Sequence, residues 1–397
     1  MISVEEAIEK ILSTIHNQKI EKKFITQLNH YVLAEDVFAD RDYPPFNRSA
    51  MDGYALSSKT FSKEKTYKVV TTLFAGEVYT SQIPEGSCIK IMTGAPVPDG
   101  LDAVVKVEDS EEIESGLVRF NIEFVSEWVN IACLGEDVKS EELVLKKGTL
   151  CTPQVVSILA TFGKEEVFVF SKPRVAIFPT GNEIVSIEKT PTLAQIRDSN
   201  SYTINSFLNQ LEIPILNHKI LTDEEDDLKE QIEKSIDLDC IILTGGVSMG
   251  ELDLLPKVMQ ELGVKEMIHK VKLKPGKPFW FGIARTGCKI FGLPGNPFSV
   301  QVTYKLFVEP WIRHFMGFRE QQYFYFPIKH EKIKKHKMEE YFPVKLENEN
   351  GISYLNEIKH NGSGDILAGL YSDGIAVQEE GRNTIHSREN VKFLFWI

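Results

Sequence analysis

The sequence predicts a multidomain α/β protein: one α/β unit on a mostly parallel sheet, two β units, and a small mixed helical unit near the N-terminus. Three observations predict it. From Pro173 to about Gly317, apolar strand-like runs alternate with helical patterns, the arrangement that places helices on both faces of a parallel sheet. From Asp42 to about Asp137, and again over 319–397, short β-like runs alternate with turns and no long amphipathic helix interrupts them. A chain of 397 residues is also too long for one small core.

The elements follow in order. Ser3 and Glu6 form a capping-box pattern ahead of Ile8, Ile11, Leu12 and Ile15, predicting a helix over 3–16. Tyr67–Val70, Cys88–Ile91 and Ala103–Val107 are strands of the first β unit. After Gly148, Val155, Val156, Ile158, Leu159 and Phe162 recur at helical spacing, and Val167–Phe170 is strand-like. Arg174–Phe178 is a buried strand, followed by a helix over 201–211 with Ile204, Phe207, Leu208 and Leu211 on one face. A strand near 214–221, an acid-started helix from Asp223, a strand over 239–243 and a helix after Asp253 continue the alternation. Phe279–Ile283 and Lys289–Phe291 read as a hairpin across Arg285-Thr-Gly287. Asn296 as N-cap and Pro297 at the first helical position open a long last helix.

Bulk properties narrow the function. A net charge of −12 argues against a nucleic-acid partner. Apolar runs such as Cys240–Leu243 are too short to span a bilayer, and Met1–Glu6 lacks a basic n-region, so no membrane partner and cytoplasmic residence are expected. The five cysteines are scattered without a C-x-x-C pair, which fits neither a disulfide framework nor a zinc site.

The chemistry concentrates in three loops: Thr244-Gly-Gly-Val-Ser-Met-Gly-Glu-Leu-Asp253, Lys274-Pro-Gly-Lys-Pro278 and Gly292-Leu-Pro-Gly-Asn-Pro-Phe-Ser299. Each meets a strand or helix end, where backbone N–H groups are free to bind anions. Lys270, Lys272, Lys274 and Lys277 crowd the middle loop of an otherwise acidic chain, and Asp253 adds a carboxylate. These parts suit a phosphorylated ligand held with a divalent metal, although a solvated strand face would also explain the lysines. A P-loop is rejected, because Glu251 and Leu252 stand where Lys and Ser or Thr are needed; a dinucleotide fingerprint fails on glycine spacing. Pro179-Thr-Gly-Asn-Glu183 offers Glu183 as a metal or ligand contact, or is simply a turn. Gln195–Asn200 likewise reads as ligand loop or helix cap.

In order, Ser49–Tyr54, Met92–Pro98, Gly135–Asp137, Pro179–Glu183, Asp198–Asn200, Gly245–Gly250 with Asp253, Lys274–Pro278, Gly292–Pro297 and Gly362–Gly364 resemble the molybdopterin molybdenumtransferase family, which includes bacterial MoeA and the E domain of gephyrin. The resemblance covers essentially the whole chain. It implies a homodimer of four-domain subunits: domain I over 1–39 and 138–172, domain II over 40–137, domain III over 173–318 and domain IV over 319–397. It implies Mg²⁺-dependent insertion of molybdate into adenylylated molybdopterin with release of AMP. By it, Asp253, Glu183, Asp52, Asp137 and Thr93 serve catalysis, and Asp253 and Glu183 hold the metal. Gly245, Gly246, Ser248, Asp223, Lys270, Lys274, Lys277, Pro294, Pro297 and Ser363 bind substrate, Ser363 by contact with molybdate. Asp52, Thr93 and Asp137 would face the α/β domain of the other subunit. Expected partners include the upstream adenylyltransferase and recipient apo-molybdoenzymes.

The chain also departs from the family. Ala132-Cys-Leu134, Met338 and Pro343 stand where relatives often carry arginine, leaving Lys335 or Lys337 as expected substitutes without Arg's bidentate fork. Alternative readings are the upstream adenylyltransferase itself, for which the extra β domains are unnecessary, and a gephyrin-like scaffold, for which no long linker is visible.

Overall fold

The computed structural model describes residues 1–15, 18–246, 254–318 and 323–397, the Leu254 side chain excepted. Two alternating apolar faces along each strand build its central sheet. Val175, Ile177, Cys240, Ile242, Phe291 and Leu293 enter one core. The intervening Ala176, Phe178, Ile241, Leu243 and Ile290 enter another. Strands buried on both faces are what a parallel sheet clothed by helices requires. The spatial order is Ile215–His218, Val175–Pro179, Cys240–Thr244, Lys289–Leu293, Trp280–Ile283 and Lys265–His269. The first four run parallel, and Trp280–Ile283 runs antiparallel to both its neighbours, so the predicted 279–291 hairpin joins the parallel strands to the edge strand Lys265–His269.

The helices Asn200–Asn209, Val4–Leu12 and the stretch from Pro297 to Phe315 cover the first face, through Ile204, Leu208, Val4, Ala7, Ile11, Phe298 and Trp311. Glu225–Ser235 and Leu254–Glu261 cover the second, through Leu228, Ile232, Leu255 and Val258. Each fully buried side chain of this size contributes about 2 kcal/mol of transfer free energy. The last helix is not uniform: a π turn over Tyr304–Val308 separates Pro297–Thr303 from Glu309–Phe315. Pro310 explains it, since its ring crowds the carbonyl four residues back and it has no N–H to give.

The N-terminal helix has its capping box, with Glu6 N–H donating to Ser3 Oγ and Ser3 N–H to Glu6 Oε2. Its packing differs from the expected grouping. Val4, Ala7 and Ile11 lie in the α/β core, Ile2 bridges to Val271, and Lys272 N–H donates to Ile2 O at 2.9 Å. The chain reaches the small mixed unit only at Ile20–Phe24, which pairs antiparallel with Glu166–Phe170 beside the helix Pro153–Thr161.

The β insert is a six-stranded mixed sheet in the order Ala103–Lys106, Gly53–Leu56, Ser87–Ile91, Tyr67–Leu73, Leu117–Phe120 and Ser110–Glu114, with apolar clusters on both faces. The C-terminal sheet runs Glu339–Glu349, Gly374–Gln378, Asn390–Phe395 and Phe324–Pro327. Its outer neighbour comes from the preceding unit: Leu273–Lys274 adds to Glu339–Glu349 as a parallel strand. Among the described residues, no helix is long and apolar enough to cross a membrane.

Candidate functional site

Strand register sets the site. Pro179 pairs with Thr244 and Thr244 with Leu293, so three parallel strands end at one level and their loops leave side by side. Thr180 N–H donates to Thr244 O at 2.8 Å, Gly245 N–H to Leu293 O at 3.1 Å, and Leu221 N–H to Pro179 O at 2.8 Å. The last bond brings in a fourth loop. Together they enclose a cavity of about 590 Å³ at the carboxyl ends of the strands, where open α/β sheets bind ligands.

Pro179–Ile184, Ile196–Asn200, Asp223, Thr244–Gly246, Pro278 and Pro294–Pro297 line the cavity. Glu183, Asp223, Gly245, Gly246, Pro294 and Pro297 of the sequence-derived set therefore meet here. The glycines are obligatory. Gly245 has φ +89 and Gly246 φ +64, and a Cβ on either would approach Thr180, 2.4 Å from its carbonyl oxygen and 2.7 Å from its hydroxyl. Ser248 and Asp253 lie outside the described residues.

Hydrogen bonds lock the rim. Asn182 and Asp223 exchange bonds, each backbone N–H donating at 3.3 Å to the other's side chain. The short parallel pair Ile184–Val185 and Ile196–Arg197 holds the Glu183 loop against the Asp198 loop. Asn200 Nδ2 donates to Gly295 O at 2.8 Å, tying that loop to the proline loop. Asp198 is buried beneath the rim; its Oδ1 accepts Ser201 N–H at 3.1 Å, and its other oxygen accepts the Ser201 hydroxyl. His218 Nε2 lies 2.9 Å from that hydroxyl oxygen. Burial alone raises the Asp198 carboxyl, but hydrogen bonds from His218 and Ser201 outweigh it and hold the group below the usual range. Because the Ser201 proton goes to Asp198, this trio is a support for the wall rather than an activated nucleophile. Among the described residues Arg197 is the one cationic side chain lining the cavity, with Nε donating to Lys189 O at 3.1 Å.

The lysines do not line the cavity. Lys270, with φ +71, sends its N–H to Phe279 O at 2.9 Å. Lys274 is exposed on the strand added to the C-terminal sheet, and Lys277 is exposed beside Pro278, which does reach the cavity wall. Lys272 pairs with Glu380 at 2.9 Å. Ser363 sits against the proline loop: its hydroxyl oxygen accepts Asn296 Nδ2 at 2.8 Å and its carbonyl accepts Phe298 N–H at 3.1 Å. Lys335 and Lys337 are exposed on the C-terminal unit, just after Lys334, whose buried ammonium is spent on the carbonyls of Met338, Gln378 and Glu379.

The remaining sequence-derived residues gather on the β insert. Asp52 Oδ1 accepts both the Thr93 N–H and the Thr93 hydroxyl at 2.7 Å, and these two bonds lower its carboxyl below the usual range. Ser49 N–H donates to Ala95 O and Gly94 N–H to Ser49 O, so the Ser49–Tyr54 and Met92–Pro98 segments run together. Asn47 Oδ1 accepts Leu134 N–H at 2.7 Å, and Asp137 N–H donates to Tyr43 O at 3.1 Å. Three motifs distant in sequence thus form one exposed patch carrying Asp52, Thr93 and Asp137. Sequence reasoning gave no individual site role to Asn182, Arg197, Asn200, Ser201, His218 or Asn296, the last read only as a helix cap. The asparagines carried a usable signal, one per loop leaving a strand, whereas His218 reaches Ser201 only through sheet packing.

Known proteins share this architecture. Residues 2–163 match the family described as MoeA N-terminal region (domain I and II), and residues 176–314 match a probable molybdopterin binding domain. The chain is 33% identical over 319 residues to the molybdopterin molybdenumtransferase of Haemophilus influenzae, covering 80% of this chain and 78% of that one. It is 34% identical over 331 residues to that of Staphylococcus aureus, covering 80% and 76%. The crystal structure of the molybdopterin biosynthesis MoeA protein from Pyrococcus horikoshii superposes with a TM-score of 0.85 at 28% identity, covering all of both chains. The chain belongs to the molybdopterin molybdenumtransferase family, and it is a transferase of molybdenum cofactor biosynthesis.

Proposed function

We propose that the chain inserts molybdate into the dithiolene of adenylylated molybdopterin and releases AMP in a Mg²⁺-dependent step. The observation that carries this reading is the convergence of four loops, bearing Glu183, Asp223, Gly245–Gly246 and Pro294–Pro297, on one cavity of about 590 Å³. That volume lies within the range of small-molecule and cofactor sites. Gly245, whose N–H is held by Leu293 O, and Gly246 bring bare backbone to the ligand side, where the Gly246 N–H is the one placed to serve a phosphate oxygen. Rupture of the phosphoanhydride adds one water across the P–O–P link, giving AMP and the molybdopterin phosphate.

The donor set fits Mg²⁺. Among the described residues no three Asp, Glu, His or Cys side chains form a metal cluster, but Glu183 and Asp223 line the same cavity. Mg²⁺ characteristically takes one or two carboxylates and completes its shell with phosphate and water. When bound, it offsets charge on the phosphoanhydride. Glu183 and Asp223 are its candidate ligands here, together with Asp253. Lys270, Lys274 and Lys277 supply positive charge from the adjoining loop, and Ser363 meets molybdate from the C-terminal unit. Asp52, Thr93 and Asp137 serve the partner's cavity in a cytoplasmic homodimer, which receives substrate from the adenylyltransferase and passes product to apo-molybdoenzymes.

A single-turnover incubation with adenylylated molybdopterin, Mg²⁺ and molybdate tests the proposal. The expected result is one AMP per active site, together with cofactor that activates an apo-molybdoenzyme. AMP without active cofactor, at saturating molybdate, would overturn it.

A further inference from the structure

Asn296 occupies the N-cap position of the Pro297–Thr303 helix, yet its side chain makes no capping bond. An N-cap asparagine ordinarily turns its oxygen inward to accept a helix N–H. Here the amide reaches into another unit of the molecule: Nδ2 donates to Ser363 Oγ at 2.8 Å, while Oδ1 would lie 3.8 Å from a Cβ placed on Gly364. The role left vacant is filled from across the same boundary, because Phe298 N–H, inside the first turn, donates to Ser363 O at 3.1 Å. Asn296 also lines the cavity. One residue therefore touches both the cavity and the turn Gly362–Gly364.

A hydroxyl carries one proton and accepts through its lone pairs. An amide N–H pointed at Oγ occupies a lone pair and leaves the proton to be given elsewhere. We infer that Asn296 is a positioning residue for Ser363: it fixes the hydroxyl as a donor toward the oxygens of the tetrahedral oxyanion substrate, and it ties that donor to the loop lining the cavity. The inference rests on the reading of Ser363 as a molybdate contact. It adds that the hydroxyl's polarity is set from the α/β unit.

The test is a mutant cycle on the full-length enzyme, with the half-saturating molybdate concentration as readout. Asn296→Ala removes the N–H and should raise that concentration about five-fold, the effect of one neutral hydrogen bond. Asn296→Asp presents only acceptors, so it captures the Ser363 proton and should raise it about ten-fold or more, since the loss becomes charge-assisted. Half-saturation by adenylylated molybdopterin in the Asn296→Ala enzyme should move much less. In a Ser363→Ala background, Asn296→Ala should add nothing to the molybdate effect. If the two single effects instead multiply in the double variant, Asn296 acts independently and the positioning role is wrong. If Ser363→Ala leaves molybdate saturation unchanged, the reading of Ser363 itself fails. Should Asn296→Ala lower the melting temperature enough to obscure kinetics, Asn296→Asp keeps the side-chain shape, and wild-type molybdate saturation in that variant would also overturn the proposal.

Discussion

The cavity of the α/β unit and the Asp52 patch of the β insert solve the same problem differently. The cavity is positioned by strand register: Pro179, Thr244 and Leu293 end at one level, and the loops have little choice about where they leave. The patch is positioned by loops that bind one another, through Asp52 to Thr93 and Asn47 to Leu134. Both are acidic: Asp52 and Asp137 mark the patch, and among the described residues Glu183, Asp198 and Asp223 line the cavity against one guanidinium, Arg197, with Lys270, Lys274 and Lys277 outside the lining. A multiply anionic ligand entering such a cavity needs cations from beyond the lining. The acidic lining is therefore the reason to look for a metal ion and the neighbouring lysines together.

Three experiments sharpen the contrast. The largest effect should come from the register-built loop. Gly245 and Gly76, in the β insert, share φ +89, but a Cβ meets the Thr180 carbonyl oxygen at 2.4 Å in the first and nothing within 4 Å in the second. Gly76→Ala should cost about 1 kcal/mol, for left-handed backbone alone. Gly245→Ala should cost about 3 kcal/mol and abolish AMP release, because the strained loop must move. Equal urea midpoints for the two variants would show that crowding at Thr180 is unimportant.

A smaller effect on stability, though not on activity, is expected at the patch. Asp52 is exposed and, among the described residues, its carboxylate is hydrogen-bonded only to Thr93, so Asp52→Ala should leave the melting curve nearly unchanged. If the patch serves a partner's cavity, Asp52→Ala and Glu183→Ala homodimers are each inactive. Their heterodimer keeps one intact site and about half the activity. No recovery despite demonstrated subunit exchange would confine Asp52 to its own chain.

The smallest effect belongs beneath the rim. Hydrogen bonds hold the Asp198 carboxyl below its unfolded value, so its contribution is fully present above about pH 4 and fades as pH falls through the folded value. Asp198→Asn should flatten the acid limb of a stability–pH curve and leave the neutral limb parallel to wild type. An unchanged acid limb would mean that the Asp198–Ser201–His218 trio carries no net linkage.

Much of this was legible in the sequence, for reasons particular residues show. The continuous apolar runs of Val175–Pro179 and Cys240–Thr244, buried along their whole length, the capping box at Ser3, and Pro297 after Asn296 are local signals, and the strand and helix assignments followed from them. Glycines beside strand ends marked the cavity because positive φ is a local demand. What stayed hidden depends on distant partners. Nothing near Asn296 indicates that its amide serves Ser363 rather than its own helix, and nothing near Lys274 indicates that its strand adds to Glu339–Glu349. The π turn could have been suspected from Pro310, but its position depends on packing around Trp311 and Phe307.

The Val4–Leu12 helix has a consequence for how the chain is made. It leaves the ribosome well before the rest of the α/β core, with Val4, Ala7 and Ile11 on one apolar stripe, but the surface it seals comes from Val271–Leu273 and Leu306–Ile312. Both the small mixed unit and the β insert lie between, and each can close on its own contacts during synthesis. The Val4–Leu12 helix must therefore wait for its native partners until translation has passed Phe315. Biosynthesis then completes the α/β core by retrieving its oldest piece, a long-range closure of the kind that slows folding and leaves sticky surface exposed meanwhile.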